Sequence, residues 1–151
     1  MTDTIRELIL RDVVTQLQKI TTANGYNTDC GNNVARAKME FPLAELPATS
    51  LIPGDESAQK EYGEQLHTMS LEAHALHKRG SLDISVLAEQ ILGDLITCLV
   101  GGQRNISRID SLSYAGGGVE DWPGPEDQAL SVRIGIEIGY TTVIGDPYNQ
   151  P

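Results

Sequence analysis

Between Leu130 and Tyr140 every even-numbered residue is apolar: Leu130, Val132, Ile134, Ile136, Ile138 and Tyr140. The odd-numbered positions hold Ser131, Arg133, Gly135, Glu137 and Gly139. Successive side chains on a strand point to opposite sides, so this period of two specifies a strand with one buried and one open face. A chain that contains such a strand must supply other strands beside it and an apolar layer to lie over it.

Two stretches have the spacing for that layer. Ile5, Leu8, Ile9, Val13, Leu17 and Ile20 recur on one face at a period near 3.6. Thr4 and Glu7 stand in capping-box spacing at the start of this helix, and Asn24-Gly25 offers a left-handed exit. The stronger pattern is Ile84, Leu87, Ala88, Ile91, Leu92, Leu95, Ile96 and Leu99. Asp83 or Ser81 caps it, and Gly101-Gly102 ends it.

Four further stretches read as strands. Val34–Phe41 alternates with Ala35, Ala37, Met39 and Phe41 on one side, and Ala48–Ile52 forms a second strand closed by Pro53-Gly54. Gln65–His77 is long and regular, with Met69, Leu71, Ala73 and Ala75 on its apolar side, and Ile106–Tyr114 alternates loosely. Asp55–Gly63 is charged and aperiodic, so it reads as a mobile loop. Ala115–Asp127 also reads as a loop, because Gly116-Gly117-Gly118 and Pro123-Gly124-Pro125 oppose regular structure. The order helix, three strands, helix, two strands predicts an α+β fold: a two-layer sandwich with a mostly antiparallel sheet of about five strands and two helices on one face. It spans residues 1–151 as one domain, with a polar tail at 145–151 expected to fray.

Composition narrows the function. The 151 residues carry 11 basic and 21 acidic side chains, a formal charge of −10. Phosphate repels such a chain, so sequence-specific nucleic-acid binding is not expected. No apolar run approaches the roughly 20 residues of a membrane helix, and Met1-Thr2-Asp3-Thr4 does not resemble the start of a signal peptide. Cys30 and Cys98 lie far apart without ligand spacing and read as free thiols.

Candidate chemistry is sparse. His67 and His77 share a strand face but lie roughly 33 Å apart at about 3.3 Å per residue, while His74 points to the other side. No metal site is expected from them, since a metal needs donors at about 2 Å. The triple glycine lacks the helix and the Lys-Ser/Thr pair of a phosphate loop, and Glu120 and Asp121 adjoin it. No nucleophile elbow occurs. Asp55, Glu56, Glu61 and Glu64 form one acidic group, and Glu120, Asp121, Glu126 and Asp127 another. Solvated loop faces account for both, and presenting acid to a partner or weakly holding magnesium is the functional alternative. No catalytic residue, metal or cofactor is therefore expected. Trp122, alone among acids and prolines, hints at an interface, and Arg133 and Glu137 on the polar side of the last strand are candidates for the same contact.

The run Ile20-Thr21-Thr22-Ala23-Asn24-Gly25-Tyr26-Asn27-Thr28-Asp29-Cys30-Gly31, then Val34–Phe41 and Leu46-Pro47-Ala48, resembles the start of tail terminator and minor tail proteins of long-tailed phages. The likeness continues through Ala88-Glu89-Gln90-Ile91-Leu92-Gly93-Asp94-Leu95 and Ile136-Glu137-Ile138-Gly139-Tyr140-Thr141-Thr142, followed by Asp146-Pro147. The resemblance implies a virion structural protein that acts by contact, made in the host cytoplasm and built into the tail. It implies a homo-hexameric ring that caps the tail tube, stops its elongation and presents a surface for head attachment. The implied partners are the tail tube protein and the head-tail connector protein. A head-tail joining protein of the neck is the alternative within the same virion. An enzyme or small-ligand domain is the rival class, because α+β folds host sites assembled from distant residues.

Overall fold

The computed structural model describes residues 2–151. Its elements run α1 (Ile5–Leu17), β1 (Val34–Arg36), β2 (Ala48–Glu61), β3 (Glu64–Lys78), α2 (Ile84–Leu99), β4 (Ser111–Val119) and β5 (Ala129–Val143). The five strands form one sheet in the order β1-β2-β3-β5-β4. Only the β1–β2 pair is parallel; the other three are antiparallel. The fold is thus the expected α+β sandwich with a mostly antiparallel sheet.

The centre of the sheet is β3 on β5, paired without a bulge from Glu64 opposite Val143 to Lys78 opposite Ala129. In this register Met69, Leu71, Ala73 and Ala75 stand beside Ile138, Ile136, Ile134 and Val132. All eight are buried, together with Leu130 and Tyr140, in one core with Ile5, Ile9, Val13 and Leu17 of α1 and Leu87, Ile91, Leu95 and Leu99 of α2. Both helices therefore cover the same side of the sheet, and the alternation in β5 identified that side. Leu8 sits at the rim of this core, partly buried. The Thr4 hydroxyl accepts from the Glu7 backbone N–H at 3.0 Å, which satisfies one orphan donor of α1. Glu7 does not complete the capping box; its carboxylate takes Arg36 and Arg11 instead. At α2 the cap is Asp83, accepting from the Ser85 N–H at 2.8 Å.

The structure corrects five boundaries, three of them where pairing across the sheet overrides the local pattern. Val34–Phe41 is strand only to Arg36, since Ala37 turns to a φ of +53° and Met39 is 67% exposed. Pro53-Gly54 does not end β2; the strand passes them through a register shift between Pro53 and Glu56. Asp55–Gly63 is consequently no loop. Residues up to Glu61 pair with β3, and Tyr62 and Gly63, with φ of +47° and +83°, make the tight reversal of a two-residue hairpin. The fourth strand starts later, at Ser111, and runs through the triple glycine to Val119 with one extra residue, Ala115. The tail at 145–151 is tied down rather than frayed. Pro147 accepts from the Ile5 N–H at 2.8 Å, Asn149 accepts from the Val143 N–H at 3.0 Å, and Gln150 Nε2 donates to the Arg108 and Thr141 carbonyls.

Candidate functional site

Past its bulge, β2 turns Glu56 toward the side of the sheet that the helices cover. There its neighbours are His67 on β3, Tyr140 and Thr142 on β5, and Arg6 on α1. Oε1 accepts from the Tyr140 hydroxyl at 2.6 Å and from Arg6 Nη1 at 2.9 Å, while Oε2 lies 2.9 Å from His67 Nδ1. Arg6 also reaches the Gly54 carbonyl at 2.8 Å. The His67 ring stacks on Tyr140 with centroids 4.4 Å apart and planes 6° from parallel, and its Nε2 lies 2.8 Å from the Thr142 hydroxyl. Burial pushes the Glu56 carboxyl up, but hydrogen bonds from Tyr140, His67 and Arg6 outweigh it and hold the group below its ordinary range. Burial, reinforced by the Glu56 carboxylate, raises the Tyr140 phenol well above its ordinary value.

Thr142, His67 and Glu56 form a hydroxyl–imidazole–carboxylate chain, the arrangement that activates a nucleophile in acyl-transfer enzymes. Two features weigh against that use. Thr142 is 3% exposed and lines neither of the two troughs described below, and its hydroxyl is already engaged by His67. Meanwhile the same bonds join four elements, which accounts for them as a clamp at the root of the β2–β3 hairpin. Sequence reading missed this cluster because Glu56 appeared to belong to an acidic loop. The available signal was Tyr140 and His67 falling on apolar-side positions of their strands.

Among the described residues no α-helix covers the opposite side of the sheet; the β1–β2 connection lies over one end of it, where Ala48 and Ser50 are buried and the Lys38 N–H donates to the Ser50 hydroxyl at 3.0 Å, and the rest is open. It carries Ser57, Thr68, Ser70, Glu72, Gly135, Glu137, Gly139, Ser111 and Ser113, mostly small or polar. Two open troughs of about 410 and 440 Å³ cross it, one between Ser57, Thr68, Gly139 and Ser111, the other along Gly116–Gly118, Glu72 and Gly135. His74 lies on this side, its Nε2 3.0 Å from Glu72 and its Nδ1 3.1 Å from Glu120. Arg133 reaches the same Glu72 at 3.4 Å. His77 shares the helix side with His67, and strand alternation separates both from His74. Among the described residues no group of three or more His, Cys, Asp or Glu is placed to hold a metal ion. His74 is 8% exposed, and His67 is drawn into the clamp.

Of the candidate interface residues, Arg133 and Glu137 stand on the uncovered side, and Trp122 is 58% exposed in the β4–β5 connection. The three are not drawn into one cluster by any hydrogen bond; Glu137 faces Ser70 and Ser113 across its neighbouring strands. The connection itself is braced by Arg79, which donates to the Gly124 carbonyl at 3.1 Å.

Asp94 lies on α2, where nothing in the helical period marks it out. It is 4% exposed, and its carboxylate accepts from the Asn27 and Thr28 N–H groups and from the Thr28 hydroxyl at 2.7–3.1 Å, which fixes the segment after α1 onto α2. Cys30 and Cys98 are both free and buried, and burial raises each thiol to about 11, away from reactivity. No helix among the described residues is long and apolar enough to cross a membrane. No protein-family model matches the chain, and no curated protein matches it by sequence.

Proposed function

We propose that the protein is a structural subunit of a phage tail, a terminator that assembles as a hexameric ring, caps the tail tube and offers a surface for head attachment. The observation that carries the reading is the uncovered side of the sheet. With α-helices on one side of the five-stranded sheet only, small or polar residues around two open troughs leave the other side, away from its β1–β2 end, free to meet another protein surface. A small substrate is held by enclosure, and these troughs are open. The open side and the sequence resemblance to terminators both support function by contact. The acidic charge of −10 per copy keeps free subunits apart, so salt or magnesium favours assembly by screening.

Tail assembly in a phage whose copy of this gene is disrupted tests the proposal. Tails of uncontrolled length that fail to join heads, restored by the intact protein, are expected. Tails of normal length joined to heads would end the reading. A neck protein is separated by the same experiment, because its loss leaves tail length normal while heads stay unjoined. The rival enzyme reading rests on Thr142, His67 and Glu56. It predicts that Thr142→Val abolishes function in a folded protein, whereas the contact reading predicts assembly with only slightly reduced stability.

A further inference from the structure

The sheet ends on two stretches with an open backbone edge. β4 is the outermost strand, and among the described residues no other segment hydrogen-bonds the outward backbone groups of Ser111–Val119. On the far side, β1 covers only Thr49–Leu51 of β2, which leaves the outer edge of Glu56–Glu61 bare. An open edge is a template for pairing with another chain, and soluble proteins usually blunt it with charge, proline or a bulge. Apart from the bulge at Ala115, β4 has none of these: its sequence is Ser-Leu-Ser-Tyr-Ala-Gly-Gly-Gly-Val.

We propose that β4 of one copy pairs antiparallel with Glu56–Glu61 of the next, so that the sheet continues from copy to copy. The proposal rests on the ring reading and names the contact that closes the ring. Strand direction permits it. From β2 to β4 every neighbour in the sheet is antiparallel, so β2 and β4 run oppositely and copies related by rotation meet in the antiparallel sense. One register also satisfies side, charge and regularity together. With Ser113 opposite Ser57 of the neighbouring copy, Ser111 meets Gln59 on the uncovered side and Leu112 meets Ala58 on the helix side. Asp110 then stands opposite Lys60. Both are exposed, neither forms an ion pair within the described chain, and their charges are opposite. The bulges fall together as well: regular pairing stops at Ala115 in β4 and above Glu56 in β2.

Self-pairing is less suited. A two-fold antiparallel pair of the 56–61 edge would set Glu56 of each copy opposite Glu61 of the other, and like charges directly opposite are destabilising. Two copies of β4 related by a two-fold axis would leave every β2 edge open and could not close a ring.

Disulfide trapping tests the register, since Ser57 and Ser113 are exposed and the native cysteines are buried. Ser57→Cys and Ser113→Cys chains, mixed at high concentration with magnesium under mild oxidation, should cross-link to each other and neither to itself; the doubly substituted chain should give a ladder ending at six copies. Lys60→Glu should weaken assembly by about two- to five-fold per contact, and adding Asp110→Lys should restore it. Cross-linking of Ser113→Cys to itself, as a two-fold β4 dimer would give, overturns the proposal. So does a ring that forms without the mixed cross-link, which leaves the ring reading standing. No cross-link and no ring overturns the contact as well, while only normal tails in the gene-disrupted phage would remove the terminator reading itself.

Discussion

From Asp55 to Glu61 four of seven residues are charged, whereas Ala115–Val119 carries no charge and three consecutive glycines. Both stretches look like loops, both are strands, and they are held differently. The charged stretch is fixed by side chains: Glu56 at its root is gripped by Arg6, His67 and Tyr140, and Tyr62-Gly63 reverses the chain at its tip. The glycine stretch is fixed by backbone alone, through pairing with Gly135–Val132 on β5. A strand can thus be specified by a polar clamp or by the absence of side chains where the neighbouring strand comes close. The two modes should fail under different changes.

The largest effect is expected for Glu56→Leu, which leaves the Arg6 charge, the Tyr140 hydroxyl and His67 without their shared acceptor. Loss of one member of such a partly buried cluster costs about 2–3 kcal/mol. Urea unfolding should register this, and hydrogen exchange should rise across 56–68 while 111–119 stays protected. Equal loss of protection in both stretches would mean that they form one cooperative unit and would dissolve the contrast.

Gly117→Val strikes the other mode. A Cβ at Gly117 would lie 2.6 Å from the Arg133 carbonyl oxygen and 2.9 Å from Ile134 Cγ2, so β4 must shift away from β5. Overpacking of this kind costs about 1–3 kcal/mol. Thermal melting should show the loss, with exchange rising at 111–119 and unchanged in the hairpin.

Acid should separate the two stretches without mutation. Because the Glu56 carboxyl is lowered in the folded protein, its ionised form contributes stability above the ordinary carboxylate value near 4.3. That contribution falls away as the pH drops through the lowered native value. Hairpin exchange, corrected for intrinsic rate, should therefore rise on the acid side, and Glu56→Gln should flatten the rise. β4 holds no carboxylate and should show no matching step.

The smallest effect belongs to the hairpin tip. Tyr62 is 97% exposed at a φ of +47°, a conformation that asparagine tolerates better than a bulky aromatic. Tyr62→Asn should stabilise the isolated protein by about 0.5 kcal/mol, read as a small rise in Tm. Destabilisation would show that the ring contributes packing at the tip.

Period and caps were enough to place the core. The alternation of Leu130–Tyr140 and Met69–Ala75, the stripe from Ile84 to Leu99 and the Thr4 and Asp83 caps are local signals, because each residue's environment follows from its neighbours along the chain. The element order and the uncovered side carrying Arg133 and Glu137 follow from the same periods. Tertiary structure alone decided the rest. Glu56 became a clamp because residues from α1, β3 and β5 converge on it from up to 84 positions away. Gly116–Gly118 became strand because β5 offered a partner, and the tail was tied down because Ile5 and Val143 stood within reach. Hydrophobic period is written along one segment, whereas a clamp or an unpaired edge exists only between segments, so no single stretch of sequence displays it.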